Sequence, residues 1–233
     1  MANLYHISSL PSPGSATLAG DVAHHLLRVL RVRPGDEVTL SDGRGRTAPA
    51  VIKSTDRREL TVEAGAATLH PAAAPAVLLA FACPRPSRAD WLIEHGTEVG
   101  VAAFQPLWTA RSRPQSVRLD RWRKIAAAAA GQCARPHLPA LREPLELDAF
   151  LAAELPERRL LADANGDQPS TPGDRRPAAV LVGPEGGFSA GEAERIRGQG
   201  FRPIALGPHI LRTETAALVS AAVLLQGATS AAP

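Results

Sequence analysis

Two short segments near the end of the chain hold the residues with the clearest chemical meaning. In LVGPEGGFSAGE, residues 181–192, an apolar strand runs into a tight glycine-rich loop and then into a helix opened by Ser189 and Glu192. That geometry presents backbone amides at the carboxyl end of a sheet. A phosphate cradle does not fit, because no Lys-Ser/Thr follows the glycines, there is no GxGxxG, and Glu185 puts a negative charge inside the loop. The ligand expected there is neutral or cationic. Residues 202–226, RPIALGPHILRTETAALVSAAVLLQ, repeat the arrangement with a second Gly-Pro loop, and two adjacent loops of this kind make a pocket. Arg212, Thr213, Glu214 and Thr215 stand where the following helix exposes unsatisfied amides. Glu214 and the threonines can serve as caps. Arg212 opposes the helix dipole and calls for a carboxylate or a ligand to compensate it.

The elements that must position these loops read as α/β. From residue 77 the pattern alternates strands (AVLLAFACP, AAFQPLWTA, RRLLADA, AAVLVGP, RPIALGP) with helices opening near Ser87, Asp120, Ser189 and Thr213, which predicts a largely parallel sheet. Ser87 to Asp90 and Ser189 to Glu192 have capping-box spacing, and Gly100, Gly200 and Gly227 stand where helices should stop. Residues 164–177 are turn-formers and predict a surface loop. The first 63 residues instead carry Pro34-Gly35, Asp42-Gly43 and Gly45 between β-branched runs, predicting a small antiparallel barrel or sheet. A helical turn capped by Asp21 precedes it, with Val22, Leu26, Val29 and Leu30 on one face. The uncharged, Pro-interrupted stretch 64–76 is the expected connector. The division is thus residues 1–70 and 76–233.

Composition excludes several classes. The chain has 233 residues and a net charge of +3, with 26 basic residues of which only Lys53 and Lys124 are lysines. Charge by segment is more informative than the total. Residues 111–135 hold seven basic side chains against the single acid Asp120, interleaved with Trp122, a pattern that suits a polyanion as well as a solvated face. Trp91, Trp108, Trp122, Tyr5 and five phenylalanines are too few for a continuous base-stacking platform. Cys83 and Cys133 lie far apart without a CxxC, arguing against a disulfide framework or a zinc site. His24 and His25, adjacent on a helix, diverge and cannot share a metal. No secretion signal or membrane span is expected, and a reducing cytoplasm is the default.

GPEGGFS, LGPHILRTETA, WLIEHGTEVGV followed by PLWTARS, and RWRKIAAAAAGQCARPHLP together resemble the SPOUT-class methyltransferases that methylate uracil N3 in small-subunit (16S) ribosomal RNA, the RsmE type. HLLRVLRVRPGDEVTLSDGRG resembles that family's PUA-like RNA-binding barrel. The resemblance implies residues 1–70 as this barrel and 76–233 as an α/β methyltransferase domain with a C-terminal trefoil knot, an exception to unknotted connection. It implies S-adenosyl-L-methionine as cofactor, no metal, no membrane, and a homodimer through the knot domain. Cofactor contacts fall on Leu161, Gly183, Glu185, Gly186, Gly187, Leu206, Gly207, Ile210, Leu211, Arg212, Thr213 and Thr215. RNA contacts fall on Arg28, Arg31, Arg111, Arg113, Arg121, Arg123 and Arg135. Catalytic roles fall on Arg212, as donor to a uracil carbonyl, and on Glu214, with Glu185 the other carboxylate able to accept the N3 proton. The base stays open between them. So do two alternatives for the whole chain: the same chemistry on another RNA such as transfer RNA, or a non-catalytic ribosome-binding factor. The chain departs from the family pattern at His209, usually Arg, and His95, usually Lys, and in its opening Leu4-Tyr5-His6.

Overall fold

The computed structural model describes residues 4–112, 117–167 and 174–226. It divides into two compact units, residues 1–72 with 127–138, and residues 73–126 with 139–233. The division therefore does not fall at a single point of the chain.

The first unit is built on a mixed sheet. Strands β1 (Leu4–His6) and β2 (Gly14–Leu18) come first, then helix α1 (Gly20–His24), which runs into a π-helical turn, His25–Leu30. Strands β3 (Glu37–Ser41), β4 (Arg46–Thr55), β5 (Leu60–Ala64) and β6 (Thr68–Leu69) follow. The sheet order is β1-β3-β4-β5-β2, with β6 paired to β4. All pairings are antiparallel except β1 with β3, which is parallel and departs from the all-antiparallel expectation. Alternate residues Val38 and Leu40, and Ala50 and Ile52, point into a core with Leu18, Leu26, Leu60 and Val62. Leu26 is fully buried, but Leu30, expected on the same face, is 39% exposed, because an i→i+5 turn rotates later residues off a 3.6-residue stripe. Asp21 and Val29 lie outside the described side chains. The stretch expected as a bare connector supplies β6, and His70 Nε2 meets Thr47 Oγ1 at 2.7 Å. Residues 127–138 join this unit through amide bonds from Gly45 to the Pro136 carbonyl and from Leu138 to the Gly43 carbonyl.

The second unit is the expected α/β layer structure. In chain order it contains β7 (Val77–Ala82), α2 (Pro86–Val99), β8 (Ala103–Trp108), α3 (Leu119–Gln132), β9 (Ala140–Leu141), β10 (Leu145–Glu146) and α4 (Leu147–Leu151). Then come β11 (Arg158–Asp167), β12 (Ala178–Val182), α5 (Ala190–Gly198), β13 (Arg202–Ile204) and α6 (Thr213–Leu225). The residues of α3 from 127 onward belong to the first unit. The sheet is parallel, in the order β10-β8-β7-β12-β11-β13, with β9 on β8. β7 and β12 are buried along their whole length, as central strands covered on both faces must be. One face packs against α2, the start of α3 and α6, and the other against α4 and α5. β12 is inserted between β7 and β11, and after the outer strand β13 the chain returns so that α6 lies against α2, β7 and β12. This is the re-entrant path that a C-terminal knot follows.

Two local expectations change. β11 runs on to Asp167 instead of ending in a loop at 164, because Gly166 lets the β13 backbone come close. A Cβ at Gly166 would sit 2.5 Å from the Ile204 nitrogen. Helix α2 starts at Pro86 with Arg85 as its N-cap, so Ser87 and Asp90 form no capping box. Asp90 instead accepts bonds from Arg121 and Trp122. Ser189 and Glu192 do form theirs, and Gly100 ends α2 in the left-handed conformation. Gly227 lies outside the described residues.

Candidate active site

Parallel strands all end on the same edge of their sheet, and there residues 161–164 of β11 and the loops that leave the carboxyl ends of β12 and β13 line a cavity of about 370 Å³. Leu161, Gly183, Glu185, Gly187, Leu206, Gly207, Ile210, Leu211 and Thr213 line it. Gly186, Arg212 and Thr215, expected with them, are not in its wall. Side chains that the sequence did not single out complete it, among them Asp163, Phe188 and Arg197, together with His209. Asp163 and Arg197 gave no signal because they belong to β11 and α5, outside both loop motifs.

Local chemistry fixes the loops. Gly187 closes a turn by donating to the Pro184 carbonyl at 2.8 Å, with φ of +67°. Glu192 caps the start of α5 and also accepts the Ala110 amide at 2.7 Å. Burial disfavours its charge, but the amide bonds from Ala110 and Ser189 outweigh that and hold the carboxyl below the usual range. Gly207 has φ of +148°, and the space where its side chain would point is open. The two loops are tied to each other by Thr213 Oγ1, which donates to the Gly183 carbonyl at 3.0 Å. Ile210 stands 93% exposed at the cavity wall.

The polar groups expected to do chemistry are held unequally. Arg212 is exposed at the N-cap position of α6 and makes no side-chain cap bond. Glu214 is buried, with Oε1 3.4 Å from Arg88 Nε and Oε2 without a partner. Arg88 also reaches Glu185, with Nη1 3.0 Å from Oε1. Sequence reasoning missed Arg88, since an arginine in the first turn of a helix looks like any solvated cation until the fold brings both loops to it.

The basic segment is dispersed. Arg111 Nη1 donates to the Gly186 carbonyl at 2.5 Å, so this arginine touches the glycine-rich loop. Arg121 is bonded to Asp90 at 2.7 Å and Arg123 to Asp120 at 2.6 Å. Trp122 is 3% exposed and donates to Asp90, so it belongs to the core and offers no face to a base. Arg135 is half-buried in the first unit, where burial weakens its hold on its proton. Arg28 and Arg31 are exposed in that unit, Arg31 with φ of +55°. Arg113 lies outside the described residues. His95 stacks on Trp91 with ring centroids 4.3 Å apart. His6 is pushed down to about 4, chiefly by burial, with the nearby Arg135 adding to the effect and Asp42 opposing it.

Among the described residues no group of three or more His, Cys, Asp or Glu side chains could hold a metal ion, and no helix is long and apolar enough to cross a membrane. Residues 71–225 match the RNA methyltransferase domain model and residues 18–64 the RNA methyltransferase PUA domain model. The ribosomal RNA small subunit methyltransferase E of Mycobacterium bovis is 31% identical, over 94% of this chain and 90% of its own length. A crystal structure of a ribosomal RNA small subunit methyltransferase E from Neisseria gonorrhoeae, bound to S-adenosyl methionine, superposes with a TM-score of 0.88 at 27% identity, covering 97% of each chain. A putative methyltransferase from Legionella pneumophila, in complex with the bound cofactor SAM, superposes with a TM-score of 0.86 at 28% identity, again over 97% of each. With its catalytic and PUA domain models both matched and relatives aligned over nearly its whole length, this chain belongs to the RNA methyltransferase family that includes the ribosomal RNA small subunit methyltransferase E proteins.

Proposed function

We propose that the chain transfers a methyl group from S-adenosyl-L-methionine to N3 of a uracil in 16S ribosomal RNA of the small subunit, in the cytoplasm, as a homodimer joined through its second unit. Residues 1–70 serve RNA binding and 76–233 carry the transfer. The cavity carries this reading: two Gly-Pro loops contribute most of its wall, and two carboxylates, Asp163 and Glu185, line it. The names of the relatives support the small-subunit substrate over transfer RNA and over a non-catalytic factor.

The residues fit this cofactor. The volume lies within the range of small-molecule sites, Leu161, Val182, Leu206 and Leu211 provide apolar wall for a nucleobase, and the carboxylates suit hydroxyl and cationic groups where a triphosphate would be repelled. When bound, the cofactor supplies an electrophilic methyl on a positively charged sulfur. The chain's own residues do the rest. The Thr213–Gly183 bond holds the two loops in one geometry, which is what an in-line transfer requires of its site. Arg212, exposed beside the cavity loop, donates to a uracil carbonyl as N3 loses its proton and negative charge develops. Of the two carboxylates able to accept that proton, Glu185 has the access, being 57% exposed where Glu214 is 9%. N3 lies on the pairing edge, so the uracil must be unpaired or flipped out. The homodimer is supported by α6, whose Leu218, Val219, Ala222 and Val223 remain only half-buried.

The test is incubation with labelled cofactor and assembled small subunits, free ribosomal RNA or transfer RNA, followed by mass-spectrometric mapping. Methyl at a uracil N3 of the small-subunit RNA is the expected result. Label in transfer RNA alone, or in no RNA, overturns it.

A further inference from the structure

The ion-pair chain Glu214–Arg88–Glu185 is asymmetric, and its asymmetry has a use. At one end Glu214 is buried on α6, where parting a carboxylate from its cation is costly. At the other end Glu185 is largely exposed and lines the cavity. Arg88 joins the two ends through different nitrogens, Nε to Glu214 and Nη1 to Glu185. The loop backbone does not depend on this bridge, since Thr213 and Arg111 bond the carbonyls of Gly183 and Gly186.

We propose that Arg88 is a positioning residue: anchored by the buried Glu214, it holds the Glu185 carboxylate at the cavity so that the site prefers a cationic ligand, the sulfonium, over its neutral thioether product. This rests on the cofactor assignment above. Two carboxylates around one guanidinium leave a net negative charge, and Arg88 keeps the exposed one from swinging out to water. Such a device favours the substrate form of the cofactor over the spent form at the same contacts.

Calorimetry with S-adenosylmethionine and S-adenosylhomocysteine separately reads this without turnover. Arg88→Gln is expected to weaken S-adenosylmethionine about fivefold, the scale of one partly exposed charge interaction, and to leave S-adenosylhomocysteine unchanged. Arg88→Lys, which keeps the charge, should recover part of the loss. Equal weakening of both ligands makes Arg88 a structural clip and overturns the proposal. So does no change, and so does tighter sulfonium binding, which would mean that Arg88 only screens Glu185. If Arg88→Gln does not fold, Arg88→Lys alone reads the positioning: weaker S-adenosylmethionine with S-adenosylhomocysteine unchanged is expected, and equal weakening of both, no change, or tighter sulfonium binding overturns the proposal. Wild-type protein that binds neither ligand overturns the cofactor assignment instead.

Discussion

The glycine-rich loops and the arginine-rich segment both gather polar groups near helix starts, yet they are held in opposite ways. In the loops the working groups are backbone, fixed by Gly187 and Gly207, by the Ser189–Glu192 cap and by the Thr213 bond, and they converge on one cavity. In the segment the groups are the tips of long side chains, and each takes the partner nearest to it: Gly186 for Arg111, Asp90 for Arg121, Asp120 for Arg123. A backbone group has one position once its loop is set. A guanidinium has many. A cluster of charge in sequence therefore fixes no single geometry for its guanidiniums, whereas a cluster of turn and cap residues fixes the shape of a loop.

The largest effect that would break this contrast is at Gly207. Valine there meets a strained φ and fills the open side of the cavity, so Gly207→Val should weaken S-adenosylhomocysteine by about 100-fold or more while circular dichroism stays native. Retained binding would mean that the loop backbone is not the cofactor's seat. Arg212→Ala comes next: the methyl-transfer barrier should rise by about 2–4 kcal/mol, as for one lost oxyanion donor, with RNA affinity nearly intact. Single-turnover kinetics beside a filter-binding assay separates the two.

The pH dependence of stability probes the inward end of the basic segment. His6 titrates near 4 in the folded chain against 6.5 unfolded, so the unfolded state binds more protons between those values. The stability involved is complete above 6.5 and is lost as pH falls toward 4, in all about 2–3 kcal/mol once solvent screening of the half-buried ring is discounted. Urea titrations of His6→Leu should show that part of the slope removed, and Arg135→Ala should move the His6 titration upward. The smallest effect sharpens the comparison within the arginines themselves. The double change Arg28→Ala and Arg31→Ala should reduce the salt slope of RNA binding by about one to two, at about 0.7–0.9 per lost contact. Arg121→Ala with Arg123→Ala should reduce it less, because those charges already have carboxylates. Equal slopes would mean that the carboxylates beside Arg121 and Arg123 do not withhold them from phosphate.

Much of the architecture is legible in the sequence. Buried strands such as VLLAFA and AAVLV announce a sheet covered on both faces, because no alternation of polar residues leaves a face for water. The caps and glycines around residues 183–189 and 206–213 mark their loops because those signals act within a few residues. Tertiary structure alone decided the rest. Leu30 turned outward through a π-helical turn that composition does not encode, and Asp90 left its expected cap for Arg121 and Trp122. Residues 127–138 joined the first unit through bonds to glycines more than eighty positions earlier. Arg88 acquired meaning only when residues 97 and 126 positions later came within reach of one guanidinium. Local signals depend on neighbours along the chain and can be read there. Partners of buried and ionised side chains depend on which elements the core brings together, and that is settled only when the sheet has closed over both of its faces.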